Sequence, residues 1–127
     1  MTRIQIKTDC GNSPKMTFLK DFNISFAKGE VDIILARVTE DISWNLVGHW
    51  SRNGLREFLE ELKLLEDQQP EEMVIDHVVS HGKQGAVNGI LTRSDGKKYA
   101  FADFYEFKNA KGTLIKSITT YMIPLKD

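Results

Sequence analysis

The chain has 127 residues, of which 41% are hydrophobic and 28% charged, and its formal net charge is −1. This length suits one domain with a core and a small cavity, and the interspersed charges exclude an extensive basic surface for nucleic acid. No stretch approaches the ~18 apolar residues of a membrane span, and the single Cys10 excludes an internal disulfide. We therefore expect a cytoplasmic protein without a nucleic-acid or membrane partner.

The first 12 residues are polar and end in Gly11-Asn12, which predicts an N-terminal arm on a single domain spanning 1–127. Ser13-Pro14 predicts the start of a helix, because serine caps helices and proline suits the first helical position. Apolar spacing predicts two helices and then a strand, at about 14–28, 30–37 and 42–47.

A loop at 48–53 precedes a strongly amphipathic helix at 54–66, and His49, Trp50 and Arg52 are expected at the rim of any pocket. The outer, solvated face of this helix is predicted to carry Glu57, Glu60, Glu61, Lys63 and Glu66.

From residue 72 the hydrophobic period changes to two, which is typical of strands. Asp95-Gly96 favours a two-residue hairpin loop. Helices followed by a meander of strands predict an α+β fold. The four strands are expected at about 73–81, 86–93, 98–108 and 113–123.

The third of these strands places a lone carboxylate in a row of aromatic residues. One face of it carries Tyr99, Phe101, Asp103, Tyr105 and Phe107. Burial penalises a carboxylate, so Asp103 must be hydrogen-bonded, paired or protonated. This row predicts a pocket with Asp103 as its candidate catalytic acid, or as a structural carboxylate.

The assumed loop lengths set a register between the strands. They place Asp103 between Asn88 and Thr119, one row from His77 and Tyr121. Polar groups converging in an apolar hollow are typical of a small-molecule site. The predicted ligand-binding residues are Trp44, Asn88, Phe101, Tyr105, Thr119 and Tyr121, and His77 is a candidate catalytic base.

The same register gives the opposite face of the sheet an apolar centre. The helices cannot cover both faces, so this face predicts a homodimer. Its residues are expected to be Val74, Val78, Val87, Leu91, Ala102, Phe104, Ile118 and Met122.

No metal or other cofactor is expected. His77 and His81 are four residues apart, but on a strand that separation is roughly 13 Å, too far to share one ion.

Three stretches in order resemble the nuclear transport factor 2 (NTF2)-like superfamily, which includes SnoaL-like cyclases and ketosteroid isomerases. They are Phe26-Ala27-Lys28-Gly29-Glu30-Val31 through Asp41-Ile42-Ser43-Trp44, then Asn53-Gly54-Leu55-Arg56-Glu57-Phe58, then Ala102-Asp103-Phe104-Tyr105-Glu106-Phe107 with Gly112 after it. The resemblance spans about 14–124 and implies a curved mixed or antiparallel sheet wrapped around two or three N-terminal helices. It also implies that Asp103 stands at the position of the isomerase's neutral, hydrogen-bonding acid.

Two departures from the isomerases change the functional expectation. Phe22 falls where they have a tyrosine, and Asn45 or Leu46 falls where they have the base. We therefore expect a SnoaL-like protein that binds a small, mostly apolar ligand, with no reaction assigned. The alternatives are an isomerase, dehydratase or cyclase in which Asp103 is the acid and His77 or a water the base, and a non-catalytic dimeric interaction module.

Overall fold

A computed structural model, which describes residues 1–126, confirms the α+β fold: three helices pack on one curved, unclosed sheet. In the described chain the sheet has seven strands in the order β1-β4-β5-β6-β7-β2-β3. The β1–β4 and β2–β7 pairs are parallel and the other pairs antiparallel. The elements are β1 (Arg3–Ile6), α1 (Pro14–Lys28), α2 (Val31–Leu35), β2 (Val38–Leu46), β3 (Trp50–Asn53), α3 (Leu55–Glu66), β4 (Glu72–His81), β5 (Gln84–Thr92), β6 (Lys98–Phe107) and β7 (Ile115–Pro124).

Helix α1 has the predicted bounds, Pro14–Lys28. Ser13 Oγ accepts a hydrogen bond from the backbone N–H of Met16 at 3.2 Å, which caps the first turn. Gly29 ends the helix with a φ of 68°, a left-handed conformation that glycine adopts without a steric penalty. Between these ends, α1 buries Leu19 and Phe22 completely against the inner face of the sheet.

The predicted N-terminal arm is a strand over four of its residues. Arg3–Ile6 forms β1 and pairs in parallel with the start of β4. Thr2 is buried, and its hydroxyl donates to the backbone oxygen of Pro70 at 2.7 Å. The arm prediction failed here because β4 offers a free edge, and backbone pairing needs no strong hydrophobic pattern.

The strand predicted at 42–47 is longer, and the loop predicted at 48–53 is partly a strand. β2 begins at Val38 because its backbone pairs there with Ile115 of β7. Residues Trp50–Asn53 form β3, which folds back on β2 as an antiparallel hairpin. Pairing with neighbouring strands therefore extends β2 through the exposed Glu40-Asp41 pair, where apolar alternation predicts no strand.

The predicted register of the central strands is wrong by one residue. The β5–β6 loop has three residues rather than two, because the N–H of Arg93 bonds the oxygen of Lys97 and Gly96 has a φ of 86°. The β6–β7 loop follows the prediction at its base, but an irregularity between Glu106 and Phe107 then shifts the pairing by one. Asp103 consequently lies between Val87 and Thr120.

A slip of one residue exchanges the two faces of a strand. The predicted register of β4 with β5 was also wrong, by two residues or more. Of the residues predicted for the outer face, Val78, Val87 and Ile118 are instead buried in the core. Phe104 is 52% exposed on the outer face, as predicted. None of the described helices is both long enough and apolar enough to cross a membrane.

Candidate functional site

A cavity of about 540 Å³ lies between the inner face of the sheet and the helices α1 and α3. Six aromatic side chains form much of its wall, and polar groups are concentrated at a few points on it. The aromatic residues are Phe26, Trp44, Trp50, Tyr99, Phe101 and Tyr105, and the polar residues that line it include the buried Asn23, Glu61 and Thr120 and the half-buried Asp103.

Asp103 sits on β6 and accepts a hydrogen bond at each carboxyl oxygen. The hydroxyl of Thr120, on the adjacent strand β7, donates to Oδ1 at 2.6 Å. The hydroxyl of Tyr105, two residues along β6, donates to Oδ2 at 3.3 Å. Both donors point at the carboxyl group, so the contacts favour its ionised form.

The direction of the bond from Thr120 is fixed by chemistry. The indole N–H of Trp44 can only donate, and it lies 3.0 Å from Thr120 Oγ1. The hydroxyl oxygen of Thr120 accepts that bond, which leaves its own proton for Asp103. Trp44 on β2, Thr120 on β7 and Asp103 on β6 thus form one chain of donors across three strands.

A second chain reaches Asp103 from helix α1. The carbonyl oxygen of Leu19 can only accept, so the Asn23 atom 3.2 Å from it is the amide nitrogen. That nitrogen also donates to the hydroxyl of Tyr105 at 2.7 Å. The Tyr105 proton is therefore free to bond Asp103, and Asp103 is the common acceptor at the end of both chains.

Burial opposes these hydrogen bonds in setting the charge of Asp103. Desolvation raises the pKa of Asp103 from 3.8 to about 6, although the bonds from Thr120 and Tyr105 act to lower it. Asp103 takes part in none of the ion pairs of residues 1–126, so no cation offsets the desolvation. Desolvation and the charge of Asp103 also raise the pKa of Tyr105 well above its usual value, so Tyr105 keeps its proton.

The structure brings half of the predicted site together. Asp103, Trp44, Phe101 and Tyr105 all line the cavity. Thr120 occupies the position next to Asp103 that the predicted register gave to Thr119. The exchange of Thr119 for Thr120 at this position follows directly from the one-residue slip in register.

The other predicted site residues lie outside the cavity. His77 and Asn88 are exposed, and His77 Nδ1 lies 3.0 Å from Asn88 Oδ1 on the outer face. Tyr121 is 44% exposed and packs edge-on against Phe104, with ring centres 6.0 Å apart. Placing His77, Asn88, Thr119 and Tyr121 in the pocket was therefore wrong, since each lies on the other face of the sheet.

Three buried polar residues of the cavity were missed, although two carried a signal in the sequence. Asn23 is four residues after Leu19, so it belongs to the buried stripe of α1. Glu61, assigned above to the solvated face of α3, is only 8% exposed because it lies three residues after the buried Phe58. Thr120 carried no signal, because only the correct register separates it from Thr119.

Glu61 is held at one end of the cavity by Arg52 and Trp50. The guanidinium Nε of Arg52 donates to Glu61 Oε1 at 3.0 Å. The same guanidinium lies 4.4 Å from the ring centre of Trp50, and Trp50 packs edge-on against Trp44 at 5.0 Å. Two of the three residues predicted to form the rim thus position a second carboxyl group, whereas His49 is exposed and does not line the cavity. Among residues 1–126, no three His, Cys, Asp or Glu side chains converge as a metal site would need.

Comparisons with known proteins identify the fold. No family model matches the sequence, and no curated protein matches it. Among solved structures, an NTF2-like protein of unknown function from Cytophaga hutchinsonii is similar, with 23% identity, a TM-score of 0.62, and coverage of 86% of this chain and 99% of that one. The epoxide hydrolase/cyclase-like enzyme SalBIII, of pyran ring formation in salinomycin, has 15% identity, a TM-score of 0.66 and coverage of 85% and 89%.

A de novo designed protein with a curved β-sheet is equally similar, with 16% identity, a TM-score of 0.70 and coverage of 87% of both chains. Likeness to a protein of unknown function, to an enzyme and to a designed protein at such identities carries no reaction with it. What these structures share with the chain is the arrangement of helices on a curved sheet. The chain therefore has the NTF2-like fold.

Proposed function

We propose that the chain binds a small, mostly apolar molecule in the cavity, where Asp103 accepts a hydrogen bond or a proton from it. The observation that carries this proposal is a cavity of about 540 Å³ with aromatic walls and a half-buried carboxyl group, that of Asp103, which forms no ion pair within residues 1–126. Small-molecule sites in proteins typically have roughly 300–1,000 Å³ and few, convergent polar groups. The walls supply affinity and Asp103 supplies orientation.

A second candidate function is proton transfer, as in an isomerase, dehydratase or cyclase. A pKa of about 6 keeps Asp103 about nine-tenths ionised at pH 7 yet basic enough to take a proton. Both donor chains favour the role of base at neutral pH. The role of acid, predicted from the sequence, applies only below about pH 6. His77 is too exposed, and on the wrong face, to be its partner.

We expect the uncharged fluorescent probe N-phenyl-1-naphthylamine to bind in the cavity, and the Met122→Trp variant to lose at least ten-fold in affinity. Met122 lines the cavity, so a larger side chain fills it. The control is Leu64→Trp on α3, which is 57% exposed, lies outside the cavity lining and away from the outer sheet face, and should leave binding unchanged. Fluorescence titration measures both. Equal affinities of the two variants would place the probe elsewhere and contradict the proposal.

A second prediction concerns the effect of Asp103 on how the free energy of unfolding depends on pH. Between pH 3.8 and about 6 the folded state binds a proton at Asp103 that the unfolded state has released, so this group lowers stability as pH rises. Replacing Asp103 by Asn removes that loss. Relative to wild type, the free energy of unfolding of Asp103→Asn should therefore rise by at most roughly 3 kcal/mol between pH 4 and pH 7.5.

Urea unfolding at the two pH values measures this difference. Asp32→Asn, on the exposed surface of α2, controls for the loss of one negative charge. A difference between Asp103→Asn and wild type that is the same at both pH values would contradict a raised pKa at Asp103.

We further propose that the chain forms a homodimer through the outer face of the sheet. Four apolar side chains there are strongly exposed: Val79 at 59%, Phe104 at 52%, Tyr121 at 44% and Ile123 at 60%. They lie on β4, β6 and β7, with alanines between them on β5 and β6. The face has no charged residue at its centre, and a second copy of it is self-complementary in polarity. This face also supports the remaining alternative, a non-catalytic dimeric module.

Phe104→Lys is expected to convert the dimer to a monomer at micromolar concentration, because it places two charges in an apolar interface. Leu64→Lys is the control: Leu64 is 57% exposed on α3, away from this face, and its variant should stay dimeric. Sedimentation velocity distinguishes the two states. A monomeric wild type at the same concentration would contradict the dimer.

We place the protein in the cytoplasm. The single cysteine of the chain, Cys10, is free and half-buried, and the fold uses no disulfide among its described residues. Reduced thiols are typical of that compartment.

A further inference from the structure

We propose that the molecule bound in the cavity carries an organic ammonium group, which pairs with Asp103 against the aromatic wall. This inference rests on the binding function proposed above and adds the chemical class of the ligand. It follows from a missing cation, from the charges that line the cavity, and from the chemistry of its walls.

The missing cation is at Asp103. Its carboxyl group is held by two neutral hydroxyl groups, those of Thr120 and Tyr105. No Lys, Arg or His forms an ion pair with it among residues 1–126. Leaving an ionised carboxylate desolvated without a cation is strongly unfavourable. A positive charge on the cavity side of Asp103 would therefore be strongly stabilised.

The other charges around the cavity do not supply that cation. Of the described residues that line the cavity, three are acidic, namely Glu61, Asp67 and Asp103, and only Arg93 is basic. Arg93 is exposed at the end of β5 and lies 6.0 Å from the ring centre of Tyr99. Low-dielectric walls lined by one sign of charge attract the opposite sign.

Arg52 balances the charge of Glu61, but Glu61 still offers the cavity an acceptor atom. Arg52 bonds its Oε1 at 3.0 Å, while its Oε2 accepts no hydrogen bond from the described residues. Since Glu61 is only 8% exposed and lines the cavity, that second oxygen is a further acceptor for a positively charged group.

The walls distinguish an organic cation from a metal ion or an anion. Aromatic ring faces attract ammonium groups, and the face of Trp50 already holds the guanidinium of Arg52 at 4.4 Å. Mg²⁺ and Ca²⁺ take six or more oxygen ligands, and these rings supply none. An anion would be repelled by Asp103. An ammonium group with apolar substituents satisfies both the carboxylate and the rings.

The test compares benzyltrimethylammonium with its uncharged carbon isostere, neopentylbenzene, as displacers of N-phenyl-1-naphthylamine from the cavity. The two displacers have the same shape and neither titrates, so any dependence on pH comes from the protein. At pH 8 the ammonium is expected to bind at least ten-fold more tightly than the isostere. At pH 5 this ratio should fall several-fold, because Asp103 is then largely protonated.

The groups that could otherwise cause this pH dependence are few. Tyr105 keeps its proton at both pH values, and none of the three histidines lines the cavity. Glu61 and Asp67 are the remaining acidic groups facing it, from α3 and the segment after it, and Arg93 is the basic one. Asp103→Asn should therefore bring the ratio at pH 8 close to one, whereas Asp32→Asn should keep the wild-type ratio.

Each outcome decides the inference. Equal or tighter binding of the isostere at pH 8 overturns the ammonium class but leaves the cavity as a binding site for neutral molecules. A ratio that survives in Asp103→Asn and at pH 5 overturns the role of Asp103. If wild type does not bind the fluorescent probe at all, the binding function fails and this inference fails with it. Should Asp103→Asn not fold, the pH comparison on wild type decides alone.

Discussion

One constraint organises the inner face of this molecule: two chains of hydrogen bonds end on the same carboxyl group. Each chain has a fixed direction because its outer end is chemically one-sided. The indole of Trp44 can only donate, so Thr120 must pass its own proton toward Asp103. The amide of Asn23 is oriented by a backbone oxygen of α1, so Tyr105 does the same. Asp103 is built as an acceptor, and the fold supplies no cation to neutralise it.

The rest of the structure shields these hydrogen bonds from bulk solvent and leaves Asp103 accessible from the cavity. Helix α1 brings Asn23 over the sheet, and the parallel pairing of β2 with β7 brings Trp44 beside Thr120. The cavity left between these elements gives a ligand access to the desolvated carboxyl group. Desolvation raises the pKa of Asp103 to about 6, although the hydrogen bonds act to lower it. The carboxyl group is therefore mostly charged at neutral pH and can still accept a proton. The ammonium inference and the proton-transfer alternative both depend on that balance.

Much of the fold was predictable from the sequence, and the site was predictable only in part. Capping at Ser13 and the left-handed Gly29 gave α1, and the lone carboxylate among aromatics identified Asp103. Which side chains of the neighbouring strands face the cavity depends on two features that local patterns do not show. These are a third loop residue before Gly96 and an irregularity after Glu106. Each shifts a register by one: the longer loop puts Val87 rather than Asn88 beside Asp103, and the irregularity puts Thr120 there rather than Thr119.

The fold does not decide the function, since it is shared with an enzyme and with a designed protein. The account depends on the charge of one group, and carboxyl ¹³C NMR measures that charge directly. In protein labelled at the aspartate side chains, the resonance absent from Asp103→Asn identifies Asp103. We predict that it titrates with a midpoint of about 6. A midpoint at the ordinary value of 3.8 would show a solvated carboxylate and contradict the account.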